Sequence, residues 1–359
     1  MRQPNIAIRT HASGLTLVEL LVAVVMGLVL LAGVGTVFVA NKQTYRLQEA
    51  LARNQENGRF ALTLLARDLR SAGYSGCGSM TPVEVGNTVC DFDKYKLRYG
   101  NPVEGFDASG TGWVPGLLSD SELGLGGSSP RPLAGSDIIT IRTVQGCDNT
   151  VEKHPSESSS GGKIPGSAPL QMSSTSCVKQ GDIVMVTDCS EYALFYVTGF
   201  NSNNILHTIA EGNCGNNGRD AKELGRGWGG GQLMRVTNRT YYVGLNDNNV
   251  PSLYVIENGQ PPTIGNYLVE GIEAMEVEYG YDSDNNQAVD SYLTAAEVDD
   301  EPDKWARVRS ARISLLVRSA DENATEIARE IDFNEGTFGG DRSLRLLVDS
   351  TIAIRNRVP

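Results

Sequence analysis

Few residues in this 359-residue chain stand where side-chain chemistry would need them. The sharpest is Glu19, five positions past Gly14 at the head of an otherwise uncharged apolar run that reaches Ala40. A charged side chain inside a membrane span costs about 2.5–3.5 kcal/mol, so such a residue normally has a partner and a task. A second set is Asp282-Ser283-Asp284-Asn285-Asn286-Gln287-Ala288-Val289-Asp290, which puts oxygens from Asp282, Asp284, Asn286 and Asp290 at the spacing of a calcium loop. Calcium takes about six to eight oxygens, and the EF-hand loop also asks for a glycine in its middle and a closing glutamate. Gln287 and Leu293 stand in those places. What remains is a looser calcium turn or, the preferred reading, an Asp/Asn-rich hairpin turn between Tyr281 and Tyr292.

Enzymatic chemistry finds little to work with. Past the first fourteen residues the histidines are His154, in a Ser/Gly-rich stretch, and His207, in a strand-like one. No nucleophile elbow, zinc-protease helix or P-loop is present. Gly225-Arg226-Gly227-Trp228-Gly229-Gly230-Gly231 lacks the Gly-Lys-Ser/Thr ending that grips phosphate and reads as a mobile loop. The chain is therefore not expected to be an enzyme, and calcium is the sole cofactor to consider.

The six cysteines, Cys77, Cys90, Cys147, Cys177, Cys189 and Cys214, all follow the apolar run, and none forms a C-x-x-C pair. An even number in an exported domain reads as up to three disulfides. Their connectivity stays open; proximity alone favours Cys77–Cys90 and Cys189–Cys214.

The elements that would carry these residues divide in two. As a helix, Leu15–Ala40 would be ~39 Å long, enough to cross a ~30 Å hydrocarbon core with tilt. Helical periodicity continues through 41–72, with Leu47, Leu51, Ala61, Leu65 and Leu69 on one face. One helix is thus expected from Leu15 to about Ala72, apolar all round at first and then amphipathic. From 73 onward the pattern turns to short strands, over Asp137–Val144, Asp182–Thr187, Ala193–Phe200, Asn204–Ile209, Leu233–Val243, Leu253–Glu257, Met275–Tyr281, Ile313–Arg318 and Leu344–Asn356. Gly/Ser/Pro-rich stretches at Asn101–Ser136 and Pro155–Pro169 read as surface loops. The fold class is α+β: a long helix, then a β-rich region (73–359) of one domain or of two lobes dividing near Gly215–Gly231.

Charge excludes one class of partner. The net charge is −12, and the first fourteen residues hold Arg2 and Arg9 but no acid. Nonspecific nucleic-acid binding needs Lys/Arg to displace counterions, so no nucleic-acid partner is expected. Arg2 and Arg9 before the apolar run are matched by Lys42 and Arg46 after it, so loop charge barely sets orientation.

Taken together, Ser13-Gly14-Leu15-Thr16-Leu17-Val18-Glu19-Leu20 and the run behind it resemble the class III leader and helix of type IV pilins and pseudopilins. Two departures are Leu15, where that family most often has phenylalanine, and the lack of a proline in the helix. Later blocks narrow the resemblance to minor pilins of the PilW family. They include Gln55-Glu56-Asn57-Gly58-Arg59-Phe60, Asp68-Leu69-Arg70-Ser71-Ala72-Gly73-Tyr74, Thr240-Tyr241-Tyr242-Val243, Ile313-Ser314-Leu315-Leu316-Val317-Arg318 and Ala353-Ile354-Arg355-Asn356-Arg357.

The resemblance implies cleavage after Gly14 by a prepilin peptidase and N-methylation of Leu15. It implies an inner-membrane subunit with its C-terminal domain in the periplasm, which later rides in the pilus at or near its tip. Its partners would be other minor pilins, the major pilin and the inner-membrane assembly platform. Glu19 would pair with a neighbour's N-terminal amine while Leu17, Leu20, Leu21, Val24, Val25 and Leu28 pack in the filament. Alternatives are a minor pseudopilin of a type II secretion system and a tip adhesin.

Overall fold

The structure, a computed structural model, describes residues 16–74, 76, 83–89, 101–115, 125, 129–154, 168–208, 224–260, 262–301, 304–334 and 336–357. A single helix α1 (Leu17–Ser71) of 55 residues leads the chain. It starts two residues later than expected because Thr16 adopts an extended backbone and caps it. From Leu17 to Val39 its large apolar side chains are all 52–75 % exposed. It is the one helix among the described residues long and apolar enough to cross a membrane.

Twelve strands form the first sheet: β1 (Val83–Asn87), β2 (Val103–Ser109), β3 (Gly112–Val114), β4 (Ile138–Lys153), β5 (Leu170–Met172) and β6 (Ile183–Thr187), then β7 (Glu191–Tyr196), β8 (Gly199–Asn201), β9 (Asn204–Leu206), β10 (Gln232–Leu245), β11 (Pro251–Glu257) and β12 (Val269–Glu270). Strand β10 is central, pairing antiparallel with β4, β6 and β11. Strands β10 to β12, after Gly215–Gly231, therefore share one sheet with the strands before it. The second sheet contains β13 (Ile272–Tyr281), β14 (Ser291–Leu293) and β15 (Val308–Arg318); a hairpin, β16 (Ile331–Phe333) and β17 (Gly336–Phe338), lies between β15 and β18 (Arg345–Ala353), which completes the order β14-β13-β15-β18. A short helix α2 (Ala295–Asp300) follows β14.

One apolar core joins these parts. Ala61, Leu65 and Leu69 of α1, Ile139 and Ile141 of β4, Tyr241 and Val243 of β10, and Met275, Ile313 and Leu315 of the second sheet are all buried in it. The helix thus roofs both sheets, where burial of apolar area supplies the main attraction.

Three expectations need correcting. Asn101–Ser136 is not surface loop throughout: β2 lies within it, and Val103, Glu104, Phe106 and Ala108 are buried. Its strand character was hidden because the buried face includes Glu104, whose charge is met by buried Arg142 at 2.7 Å. Ala193–Phe200 is two strands, split after Tyr196. On α1, Leu47 and Leu51 are 40 % and 38 % exposed, and the stripe turned to the domain runs instead through Ala50, Asn54, Gly58 and Ala61. Close approach is the reason. A Cβ on Gly58 would lie 2.8 Å from Val348 Cγ2 and 3.2 Å from Val317 Cγ2, so small residues let the helix settle on β15 and β18.

Candidate functional site

The start of α1 is a reciprocal cap. The Glu19 amide donates to Thr16 Oγ1 at 3.2 Å, and the Thr16 amide donates to Glu19 Oε2 at 3.0 Å. The Thr16 hydroxyl also donates to Glu19 Oε2 at 3.1 Å. This is the capping box, which satisfies two otherwise orphaned N–H groups at a helix start. Its signal, Thr16-x-x-Glu19 before an apolar run, was legible in the sequence. Glu19 therefore has a local task, and any charge pairing with another subunit competes with that box. Gly14 and Leu15 lie outside the described residues.

Beyond the cap, the first half of α1 offers apolar side chains on every side and is not buried against any of the described residues. Leu17, Leu20, Leu21, Val24, Val25 and Leu28 are all exposed, from 52 % to 75 %. A surface of this extent is stable only in a lipid or protein environment.

The second half is clamped to the domain by polar side chains as well as by the core. Asn54 Nδ2 donates to the Leu344 carbonyl at 2.9 Å, and Asn57 Nδ2 to the Glu270 carbonyl at 3.0 Å. At the far end, the Thr143 hydroxyl donates to the Ser71 carbonyl at 2.7 Å, and Asn356 Nδ2 to the Ala72 carbonyl at 3.0 Å. Between them lies buried Asp68, whose Oδ2 accepts from Tyr241 Oη at 2.6 Å and from Arg239 at 2.9 Å. Burial first, and then the Asp68 charge, hold the Tyr241 hydroxyl well above the usual phenol range. The clamp spreads over β4, β10, β12 and the C-terminus, so a displacement of the helix is passed to both sheets.

Disulfides brace the first sheet. Cys147 on β4 is bonded to Cys177, with Cα atoms 5.6 Å apart. Cys189 is also disulfide-bonded. Cys77, Cys90 and Cys214 lie outside the described residues, and with them the expected Cys77–Cys90 and Cys189–Cys214 pairs.

The Asp282–Asp290 loop does bring acids together: one oxygen each of Asp282, Asp284 and Asp290 lie within 4.8 Å of one another. Their lone pairs are in use. Asp282 is buried and meets the Arg309 guanidinium at 2.8 Å, while its two oxygens also accept the amides of Asn286 and Gln287. Asp290 Oδ2 accepts from the Ser283 amide and hydroxyl, and Asn286 Oδ1 from the Ala288 amide. Although burial works the other way, the Arg309 bond leads a set of donors that hold the Asp282 carboxyl below its ordinary range. The arrangement is that of a self-bonded turn closed by an arginine, and a cation would have to displace those bonds.

The two histidines converge. Nε2 of His154 and Nε2 of His207 both bond the Ala168 carbonyl, at 3.0 and 2.9 Å. One oxygen accepting from both rings requires each to carry its proton on Nε2. His154 Nδ1 accepts the Trp228 amide at 3.2 Å. Trp228 is buried, and Arg226 pairs with Asp188 and Glu191. Gly225–Gly231 is thus an anchored segment, contrary to expectation, because its one apolar side chain, Trp228, plugs the core of the first sheet. Burial pushes His207 down to about 4. Nothing in this pair offers a nucleophile or a metal-binding geometry; it is a structural joint.

The family model PilW, described as type IV pilus-assembly protein W, matches residues 240–356. That span holds β11 to β18 and the C-terminal part of β10 from Thr240, including Tyr241 of the helix clamp. No curated protein and no solved structure matches the chain.

Proposed function

We propose, from the match of residues 240–356 to the PilW family of type IV pilus-assembly proteins, that this chain is a minor pilin that primes filament assembly. The observation that carries the reading is the contrast along α1. Its first half is bare and apolar all round, while its second half is fastened to a large β domain. Such a helix serves as a membrane anchor before assembly and as a spine between neighbouring spines afterwards, with no change in its own fold. The role is mechanical, not enzymatic.

In this reading Gly14 is the cleavage position, and the Leu15 amine is the cation offered to a neighbour. Attraction between that amine and Glu19 is several-fold stronger in a low-dielectric filament core than in water, and it sets axial register. A subunit capping the tip has nothing above it and gains nothing from the carboxylate. The presence of Glu19 supports a position beneath at least one other minor pilin.

The test is recovery of partners from membranes of cells that lack the major pilin. The tagged full chain should bring down other pilin-type subunits, and its deletion should deplete sheared surface filaments. Normal piliation in the deletion strain, with no pilin-type subunit recovered, would remove this function.

A further inference from the structure

A groove of about 580 Å³ opens where α1 leaves its uncharged run. One wall is the helix from Ala40 to Leu47, and the other is the 324–331 loop between β15 and β16, with Ile327 and Arg329 at its rim. Ile327 is 69 % exposed, as bare as Phe38 inside the apolar run. The loop does not hang free: the Thr325 amide donates to the Arg342 carbonyl at 2.8 Å, and the neighbouring Leu344 carbonyl accepts from Asn54 of the helix.

The height of this groove is set by the sequence of α1. Ala40 is the last residue of the uncharged run and Lys42 the first cation after it, so the hydrocarbon edge falls there. The polar layer outside a ~30 Å core is roughly 5–7 Å deep. A helix rises ~1.5 Å per residue, so that layer spans about four residues, from Ala40 to Thr44. The groove mouth lies at this level. The side chains of Lys42, Arg46 and Arg329 are exposed. Glu326 and Glu330 share the loop and offset part of that charge, so burial of Ile327 dominates and phosphate contacts add to it.

Resting on the anchored reading above, we propose that the 324–331 loop is a second membrane contact. Ile327 enters the outer leaflet of the bilayer that α1 crosses, lipid fills the groove, and Lys42, Arg46 and Arg329 meet headgroup phosphates. The globular domain is then held at a set height and tilt before assembly, and incorporation into a filament requires the loop to leave the lipid.

The test uses the full chain in vesicles of phosphatidylethanolamine and phosphatidylglycerol, with single nitroxide labels on Ile327→Cys, Val29→Cys and Phe200→Cys. No free cysteine competes among the described residues. Collision with oxygen reports lipid, and collision with a water-soluble nickel chelate reports water. The oxygen-to-nickel ratio at 327 should exceed that at exposed Phe200, in the outermost strand β8, by several-fold and approach that at Val29. A ratio at 327 equal to that at 200, with Val29 in lipid, overturns this inference and leaves the anchor intact. Water-like ratios at both 327 and 29 overturn both. Shielding of 327 from both reagents means that a second protein copy fills the groove, and it also overturns the lipid contact.

Discussion

The Tyr241 hydroxyl donates a 2.6 Å hydrogen bond to Asp68 Oδ2, joining the central strand of the first sheet to the last turns of a helix 173 residues earlier. Arg239 reaches the same oxygen and Arg67 the other, so one buried carboxylate gathers three donors. Tyr241→Phe removes one of these bonds without opening a cavity and should cost about 1 kcal/mol. Asp68→Ala strips the partner from Arg239 and Tyr241 together and should cost about 3 kcal/mol, the low end for a broken buried pair, because Arg239 is a quarter exposed. Thermal unfolding of the full chain in detergent checks the order. Equal effects from both substitutions would mean that Asp68 matters only through Tyr241.

In the proposed reading, processing depends on Gly14. A peptidase site that accepts glycine has no room for a branched side chain, so Gly14→Val should leave an uncleaved precursor in the inner membrane and reduce piliation. Intact-mass measurement of the variant reads this directly; a mature chain beginning at methylated Leu15 contradicts it.

At Glu19 two roles can be separated. Glutamine serves the capping box as well as glutamate does, so Glu19→Gln keeps the cap and loses the charge, while Glu19→Leu loses both. If the charge pairs with a neighbour's amine, both variants should be processed normally yet be recovered less with partner pilins and in sheared filaments. Were Glu19→Gln to behave as wild type while Glu19→Leu failed, the carboxylate would be a cap and nothing more.

Calcium should not stabilise this protein. Arg309 already holds Asp282 at 2.8 Å, and the remaining loop oxygens accept local amides. Millimolar calcium is expected to leave the melting temperature of the full chain unchanged. A rise that disappears in Asp284→Ala would establish a metal site, since a ligand bound only by the folded state stabilises it by mass action.

The His207 joint sets a pH dependence whose sign follows from burial. Its folded value near 4 lies below the ordinary 6.5, so on acidification the unfolded chain takes up the proton first. Stability from this group is present above pH 6.5, is drained as pH falls toward 4, and changes no further below that. His207→Gln keeps a donor for the Ala168 carbonyl but cannot titrate. Relative to wild type it should gain about 2 kcal/mol between pH 6.5 and 5. Asp137, lifted by burial to about 7, acts in the opposite direction over the same range and cancels from this difference. Parallel stability profiles for the two proteins would show that His207 titrates normally.

Much was legible in local pattern. The 55-residue helix, its apolar first half and the main strands β4, β10, β13 and β15 follow from periods of 3.6 and 2, which the chain writes residue by residue. The cap at Thr16 and Glu19 has a four-residue signal too, which reading Glu19 only as a charge in need of a partner passes over. Two strands were not legible: the buried face of β2 carries Glu104, and the three residues of β16 lie in a polar stretch with too little periodicity to stand out from a loop.

What the residues by themselves determined was the division of the chain: a long helix with an apolar first half and an amphipathic second half, followed by a β-rich region. Only the tertiary structure decided which residues bind the two together. Leu47 and Leu51 look like the contact and are half bare, whereas Asn54, Gly58 and Asp68 make it. The reason is physical. Helical periodicity records how apolar a face is, but the distance at which that face meets a sheet depends on the partner's side chains, here Val317, Val348 and Tyr241, more than 170 residues away.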